Sequence, residues 1–559
     1  MTITLLSWCF IFGCSIVLGN VFTKKIMPET FQNTTKIDVY FVSGLMILNV
    51  YAQICSIFIK VGKMAFLIMT VIVLAMLVWC LVEYKIRGSQ LNLVNIKKVE
   101  TWKICITIMI GGATLLFTIK SPEFVDTYLY HIQAIRWIEE YGVVPGLGNL
   151  HNRFAYNSAF LPLQALFSFS WTTEPLHSLN GLLGCFFAVY AIVTNNIFSS
   201  EKNTLSDYLK LVIIPYIFLN HRNISSPGTD MLAMLLVLYI TIKWSECIDK
   251  QETIQSYALL CFIGVWAVSV KLSTAISVLL VIYPAIHLLK KKAWRVIIKD
   301  LVCGIIIILP WFIRNVIISG YLIYPYSGID IFTVDWKMPA ALLDYDKMEI
   351  AVYGREARDV SRYYDSISVW FPTWFENQML RNKLLIFAGM MAFVCMVLLM
   401  VFIVINSIHR KKMSEFICSE GNRFLLLGTV LLREAFWILT APLVRYGMVY
   451  LMMPMAVSYF LLEKLIGPQF NRFILVLRTC VWVLLFLYRS DDFRLIQPQG
   501  YWKMDSVPTN LQGIIIYSAA DGGTLSGYAD FPAVANKRVL DEIELRGEDL
   551  SSGFRLKLN

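Results

Sequence analysis

Apolar residues run in long blocks along this chain, and polar residues gather in the gaps between them. A transmembrane helix needs about 20 mostly apolar residues, because hydrocarbon cannot satisfy a free backbone group. Blocks that meet or approach that length lie near 2–22, 38–60, 64–84, 102–119, 176–198, 207–220, 229–243, 255–270, 272–289, 298–318, 384–406, 422–440, 442–462 and 471–488. The pattern predicts an all-α polytopic membrane protein with about 14 transmembrane helices.

Two gaps, 120–175 and 319–383, are too long for ordinary connections, and a polar tail follows the last block. In the first gap Tyr128, Ile132, Ile135, Ile138 and Tyr141 recur at helical spacing. A helix is expected from Thr127 to Tyr141, stopped by Gly142, and such a helix suits the membrane surface. The second gap is rich in aromatics, including Tyr324, Tyr326, Trp336, Tyr363, Tyr364, Trp370, Phe371, Trp374 and Phe375. In the tail, Gly513-Ile514-Ile515-Ile516-Tyr517 reads as a strand and Asp521-Gly522-Gly523 as a turn. Three units are expected: accessory membrane helices over 1–101, a membrane core over 102–490, and a small α/β-type tail over 491–559.

Composition agrees with this reading. The chain is 57% hydrophobic and 16% charged, against about 45–50% and about 25% in soluble proteins. Mean hydropathy is +0.62. The net charge of +10 fits basic cytoplasmic loops, not a nucleic-acid partner. Lys85, Arg87, Lys97, Lys98 and Lys103 crowd one such loop. Lys290, Lys291, Lys292, Arg295 and Lys299 crowd a second, and Arg410, Lys411, Lys412 and Arg423 a third. Alternating across the spans then puts both long gaps and the tail on the extracytoplasmic side. The first residues carry no basic n-region or clear cleavage site, so the first block is expected to remain as a span. None of the 12 cysteines falls in the outer segments, so no structural disulfide is expected. No Cys/His cluster has metal spacing.

Candidate chemistry sits at the outer ends of spans. Asp126, in Ser121-Pro122-Glu123-Phe124-Val125-Asp126-Thr127-Tyr128-Leu129-Tyr130-His131, is a carboxylate at the bilayer rim and is placed to act as a general base. An Asp at a helix start also serves as an N-cap. Glu123 is a second carboxylate nearby, Tyr130 shares a helix face with Asp126, and His131, His151 and Arg153 follow as groups suited to sugar or phosphate, or as solvated loop residues. Asp230, in Gly228-Thr229-Asp230, opens another block, where capping is the alternative role. Lys271 divides two apolar runs, where it holds a lipid phosphate or snorkels to the interface. Arg314 with Asn315, and Arg445 with Tyr446, stand at outer span ends, where positive charge is disfavoured and calls for an anion. Guanidinium binds phosphate bidentately, although an acid such as Glu434 or a lipid headgroup would also satisfy it. Under this topology Asp126, Asp230, Lys271, Arg314 and Arg445 converge on one side.

These features, in this order, resemble the GT-C class of membrane glycosyltransferases, which includes protein O-mannosyltransferases and lipid A aminoarabinose transferases. The resemblance covers about residues 102–490. It rests on Asp126, on Gly228-Thr229-Asp230, on Lys271-Leu272-Ser273, on Arg314-Asn315 with Gly320-x-x-x-Tyr324-Pro325, and on Arg445-Tyr446 ahead of Pro454. The class usually pairs two acids in its first outer loop, whereas here the nearest acid to Asp126 is Glu123. The stretch Asp126 to Gly142 also resembles a group of bacterial polytopic membrane proteins with no assigned substrate.

The resemblance implies a hexosyl or pentosyl transfer in a bacterial cytoplasmic membrane, with the active site on the extracytoplasmic side. A polyprenyl-phosphate sugar would be the donor, and a glycan, lipid or protein hydroxyl the acceptor. Asp126 would act as the base, with inversion at the anomeric carbon. Lys271, Arg314 and Arg445 would hold the phosphate, and Tyr324 and other aromatics would meet sugar. No cofactor or metal is implied; the partners are membrane lipids, the lipid-linked donor and the acceptor. The rival readings are an O-antigen polymerase or ligase using Arg355, Arg358 and Arg362, a transporter or flippase of envelope glycans, and a non-catalytic assembly protein.

Overall fold

The computed structural model describes residues 1–32, 36–87, 99–172, 175–197, 203–410, 413–466, 500–520 and 522–557. Long helices dominate. They are α1 (Thr2–Lys25), α2 (Ile37–Phe58), α3 (Lys63–Arg87) and α4 (Thr101–Thr118), then the outer helices α5 (Ile132–Glu140), α6 (Leu147–Leu150) and α7 (Phe160–Leu166). The bundle resumes with α8 (Leu179–Val193), α9 (Leu205–Leu219), α10 (Asp230–Asp249) and α11 (Ile254–Val270). A tighter 3₁₀ stretch, Leu272–Val281, leads into α12 (Ile282–Lys290), and α13 (Trp294–Ser319) follows. Two outer helices, α14 (Ala340–Gly354) and α15 (Ile367–Asn377), precede α16 (Leu380–Arg410), α17 (Met413–Thr440) and α18 (Val444–Ile466). Among the described residues, nine helices are long and apolar enough to cross a membrane. Leu179–Val193 and Ile254–Val270 are shorter apolar helices. The expected span at 471–488 lies outside the described residues.

Local sequence explains where several elements begin and end. At α9, Thr204 Oγ1 accepts from Asp207 N at 3.4 Å while Asp207 Oδ2 accepts from Thr204 N at 3.1 Å, a reciprocal cap. Gly320 ends α13 at φ +84°, a conformation that favours glycine. The outer helix α5 stops at Glu140, and Gly142 takes φ +80°, as the sequence predicts. In the tightly crossed pair α1 and α2, a Cβ on Gly19 or Gly44 would strike the partner backbone at Tyr40 or Ser15.

Cross-links sort the described chain into two ends. At one end Lys299 Nζ donates to Ile26 O at 3.2 Å, Asn203 Nδ2 to Glu463 Oε1 at 3.1 Å and Arg423 Nη2 to Asp249 Oδ1 at 3.3 Å. A buried ionic cluster also stands there, with Lys243 Nζ 3.0 Å from Asp38 and 2.9 Å from Glu246, and Lys210 Nζ 2.8 Å from Glu246. The opposite end carries the outer helices and the tail. The first helices are not peripheral, because α2 packs against both α7 and α13 and Asn49 Nδ2 donates to Ala159 O at 2.6 Å.

The tail is a small mixed unit. Strands β1 (Ser506–Leu511) and β2 (Ile514–Ala519) pair antiparallel, Ser506 opposite Ala519, and the short β3 (Ala533–Val534) joins β2 in parallel. A one-turn helix, Val539–Glu542, leads to β4 (Ile543–Leu545), which pairs antiparallel with β5 (Phe554–Leu556). Residues 514–517 are the expected strand. Asp521 of the expected turn lies outside the described residues, while Gly522 takes φ +71°.

The tail corrects the expected surface position of the 127–141 helix. Tyr128, Ile132, Ile135, Trp137 and Ile138 are buried in the protein core. The indole of Trp502 stacks on Tyr128 at 4.9 Å, and Gln133 Nε2 donates to Gly527 O at 2.7 Å and Asp530 O at 2.8 Å. Gln133 Oε1 accepts from Ala533 N at 3.1 Å. The apolar stripe that suits a membrane surface is covered by protein instead.

Candidate functional site

Four of the expected residues meet at the outer end of the bundle, each placed by a different element. Asp126 opens a widened helical turn, Thr127–His131, that runs into α5. Its side chain makes no cap hydrogen bond, so the carboxylate is not used to start the helix. The neighbouring Thr127 Oγ1 lies 2.8 Å from Ser226 Oγ, which also accepts from Gly228 N at 3.1 Å. Asn180 Nδ2 donates to Ser226 O at 2.7 Å and Gly228 O at 2.8 Å. The loop before Asp230 is thereby fastened to the turn that carries Asp126.

Asp230 is the first residue of α10, one past the N-cap residue Thr229, so it does not occupy the capping position. Its Oδ1 instead accepts from Lys271 Nζ in a close ion pair. Lys271 occupies the extended break between α11 and the 3₁₀ stretch, at φ −156°. Ser158 Oγ holds that break by donating to Val270 O at 2.7 Å, and Ala159 N donates to Ser269 O at 2.9 Å. The ammonium lies 3.7 Å from the centre of the Tyr446 ring, a cation–π contact.

Arg445, in the first turn of α18, ties the two acids together. Its Nη2 donates to Asp126 Oδ2 at 2.7 Å and to the Tyr446 hydroxyl at 3.0 Å, while Nε lies 3.9 Å from Asp230 Oδ2. The Phe124 ring flanks the guanidinium at 4.6 Å. Side-chain exposures of 22% for Asp126, 20% for Arg445, 19% for Lys271 and 13% for Asp230 leave this cluster reachable from outside. It holds two acids and two cations, and Glu434 is not the partner of Arg445.

Three buried polar atoms beside this cluster have no hydrogen bond among the described residues: Arg445 Nε and both ring nitrogens of His131. Burial pushes the His131 imidazole down to about 4, against the pull of Asp126 and Asp230. The ring is therefore neutral at ordinary pH, with one donor and one acceptor. Burial likewise raises the Tyr130 phenol well above its ordinary value, reinforced by Asp126. A donor–acceptor pair next to a guanidinium N–H is the set that a phosphate ester or a hydroxyl can satisfy.

The other expected residues lie elsewhere. Arg314 does not join the cations. It is 1% exposed, its Nε donates to Asn157 Oδ1 at 2.9 Å, and its Nη1 donates to Ser56 Oγ. The same Asn157 donates to Asn315 Oδ1 at 2.8 Å, and Asn315 Nδ2 donates to Leu322 O at 2.8 Å, so this pair braces the end of α13. Glu123 is an exposed acid 3.5 Å from Arg222. Arg153 and Tyr324 converge on Asp346, which accepts from Tyr156 Oη at 2.6 Å, Tyr324 Oη at 2.8 Å and Asn152 Nδ2 at 3.0 Å. Arg153 reaches Asp346 at 3.5 Å and Glu349 at 2.5 Å. His151 caps its own turn by accepting from Arg153 N at 3.2 Å, and burial lowers its ring to about 4.

This second network joins the two long outer segments. Asp346, Tyr156, Asn180 and Ser226 were not singled out from the sequence. Asp346 stands among Asp344, Lys347 and Glu349 with no mark of burial. Asn180 is a neutral amide in an apolar run, and its only signal is its polarity there.

Among solved structures, the chain is similar to the arabinosyltransferase EmbB from Mycobacterium smegmatis, with a TM-score of 0.35 and 12% identity over 71% of this chain. The chain spans about a third of that protein's length, 34%. No curated protein matches the sequence. A family model described as a domain of unknown function, DUF8201, matches residues 1–452, a range that runs through the first helices and includes every member of the Asp126 cluster. The chain belongs to the DUF8201 family.

Proposed function

We propose that this protein is a membrane glycosyltransferase that moves a hexosyl or pentosyl unit from a polyprenyl-phosphate donor to an acceptor hydroxyl. The reaction would take place on the extracytoplasmic side of a bacterial cytoplasmic membrane. The observation that carries this reading is the partly open set of Asp126, Arg445, Asp230 and Lys271 at the end of the bundle opposite its basic loops. Lys290, Lys291, Lys292, Arg295 and Lys299 crowd the α12–α13 connection, and such loops face the cytoplasm.

In the chain alone, both acids are paired with cations. A donor phosphate competes for those cations, and Arg445 offers it a bidentate edge while Lys271 adds a point charge. Two cations balance two acids, so an added phosphate makes the cluster net negative. Released from Arg445, the Asp126 carboxylate is free to accept a proton. Phosphate binding thus converts a paired carboxylate into a general base.

The acceptor oxygen attacks the anomeric carbon as the bond from that carbon to the phosphate oxygen breaks. Asp126 takes the hydroxyl proton, and the lipid phosphate leaves with the bonding pair. Attack opposite the leaving group inverts the anomeric carbon. Arg445 and Lys271 face the charge that develops on the phosphate. His131, whose two ring nitrogens have no hydrogen bond among the described residues, orients either the phosphate or the acceptor.

The test compares the wild-type protein with Asp126→Asn in proteoliposomes given a panel of polyprenyl-phosphate sugars, following release of the lipid phosphate. The reading predicts donor consumption by the wild type and a loss of about 10²–10⁴-fold in the variant, the usual worth of a general base. Equal consumption by both proteins would remove Asp126 from the mechanism. Consumption by neither protein across the panel would overturn the transferase reading.

A further inference from the structure

Beneath the outer cluster, α17 buries a cation with neutral partners. Arg433 is 0% exposed. Its Nη1 donates to Thr241 Oγ1 at 2.9 Å and its Nη2 to Ser277 Oγ at 3.1 Å. Nε has no hydrogen bond among the described residues, and no carboxylate among them pairs with the guanidinium. Glu434 follows in sequence but projects about 100° further round the helix. A buried charge without a counter-ion costs stability. An ionisable residue at membrane depth therefore usually serves a site.

The elements that hold Arg433 are those that carry the cluster. Thr241 lies on α10, which opens with Asp230. Ser277 lies on the 3₁₀ stretch, which begins directly after Lys271. α17 also packs against α18, the helix of Arg445, and Tyr450 of that helix donates to Ser273 O at 3.1 Å. The Tyr450 phenol feels the charges of both Arg433 and Asp230. Thr241 is 11 residues beyond Asp230, and Ser277 is six beyond Lys271. At about 1.5 Å per residue of α-helix and about 2.0 Å of 3₁₀-helix, Arg433 lies roughly 12–17 Å beneath that pair.

This distance rules out contact with a ligand at the cluster but leaves the field of the charge. Asp126, Asp230, Lys271 and Arg445 sum to zero, so a bound phosphate leaves net negative charge there. At an effective dielectric constant of about 20, a unit charge roughly 12–17 Å away changes anion affinity by about five- to tenfold. Burial keeps salt from screening it.

We infer that Arg433 is a remote counter-charge for the donor phosphate, a positioning residue that acts through its field and touches no substrate. The inference rests on the transferase reading for the identity of the anion. The test is equilibrium binding of undecaprenyl phosphate to the full-length protein in nanodiscs, with undecaprenol as the uncharged contrast. Arg433→Met keeps a long side chain and removes the charge. It weakens phosphate binding about five- to tenfold, leaves undecaprenol binding unchanged, and melts no lower than wild type, because an unpaired buried charge is gone. Arg433→Lys keeps the charge and stays within about twofold of wild type. Ser277→Asp sets a carboxylate against Arg433, cancels the charge in place, and weakens phosphate binding as Arg433→Met does. Full phosphate affinity in both Arg433→Met and Ser277→Asp would overturn the inference. So would equal weakening of undecaprenol, or a loss in Arg433→Lys as large as in Arg433→Met, since either marks a packing role. A wild type that binds no undecaprenyl phosphate discards the donor reading and this inference together, whereas binding that ignores Arg433 discards the inference alone.

Discussion

Each acid in the outer cluster owes its position to a neighbour that does no chemistry. Asn180 is the clearest case, since it donates to two carbonyls of the loop that delivers Asp230. Replacing Asn180 with Leu keeps the volume but orphans those carbonyls, each at a cost of about 1–3 kcal/mol. Loss of donor turnover with Asp126 unchanged is the expected result, together with a melting temperature lowered by several degrees. His131 adds a pH dependence. Its folded value of about 4 lies below the ordinary 6.5, so between these values the unfolded chain binds the extra proton. Stability therefore rises as pH increases from 4 to 6.5 and is lost by up to about 3 kcal/mol on acidification through that window. His131→Gln should flatten the acid side of the melting-temperature profile, and an unchanged profile would contradict the assignment. At this scale the sequence showed much, because ionisable residues at the ends of apolar runs announce themselves. Asp126, Asp230, Lys271 and Arg445 did so. The position of Arg314 did not follow, because the pattern of α13 cannot tell which neighbour its guanidinium faces, and Asn157 and Ser56 are remote in sequence.

Among the elements, the widened turn and α5 serve as a hub between membrane helices and tail. Val143 N donates to Ser56 O at 2.7 Å and Val61 N to Ile138 O at 3.0 Å, which ties the segment to α2 and to the connection before α3. Gln133 grips the tail through three hydrogen bonds. Gln133→Leu leaves their tail partners unsatisfied, and the tail should then be cut by protease at lower concentration than in the wild type. An unchanged cleavage profile would show that the stack of Trp502 on Tyr128 suffices. Periodicity revealed this helix and its glycine stop but not its cover, since an apolar stripe reads alike whether lipid or protein meets it. In the second segment, α14 and α15 escaped the sequence pattern for another reason. Their aromatics and the internal Pro372 obscure a helical period that tertiary contacts such as Trp374 on Trp437 impose.

For the molecule as a whole, the cross-links at its two ends test the orientation. Ser551 in the tail and Lys291 in the α12–α13 connection are both exposed and lie at opposite ends of the bundle. Ser551→Cys should react with a charged, membrane-impermeant thiol reagent on intact cells, whereas Lys291→Cys should react only after the membrane is opened. The reverse pattern would invert the topology. Apolar run lengths made most of the bundle legible in the sequence, and the basic loops gave it a direction. The union of the first helices with the core was not legible, because contacts such as Asn49 to Ala159 leave no periodic trace. The account depends above all on the exchange of Arg445 and Lys271 from carboxylate to lipid phosphate. Equilibrium binding of a polyprenyl phosphate to the wild type, Asp126→Asn, Arg445→Gln and Lys271→Gln in nanodiscs measures that exchange directly. The account predicts that Asp126→Asn binds at least as tightly as wild type, since a competitor for Arg445 is gone, while the two cation variants bind at least tenfold more weakly. Weaker binding by Asp126→Asn, or full affinity in both cation variants, would contradict it.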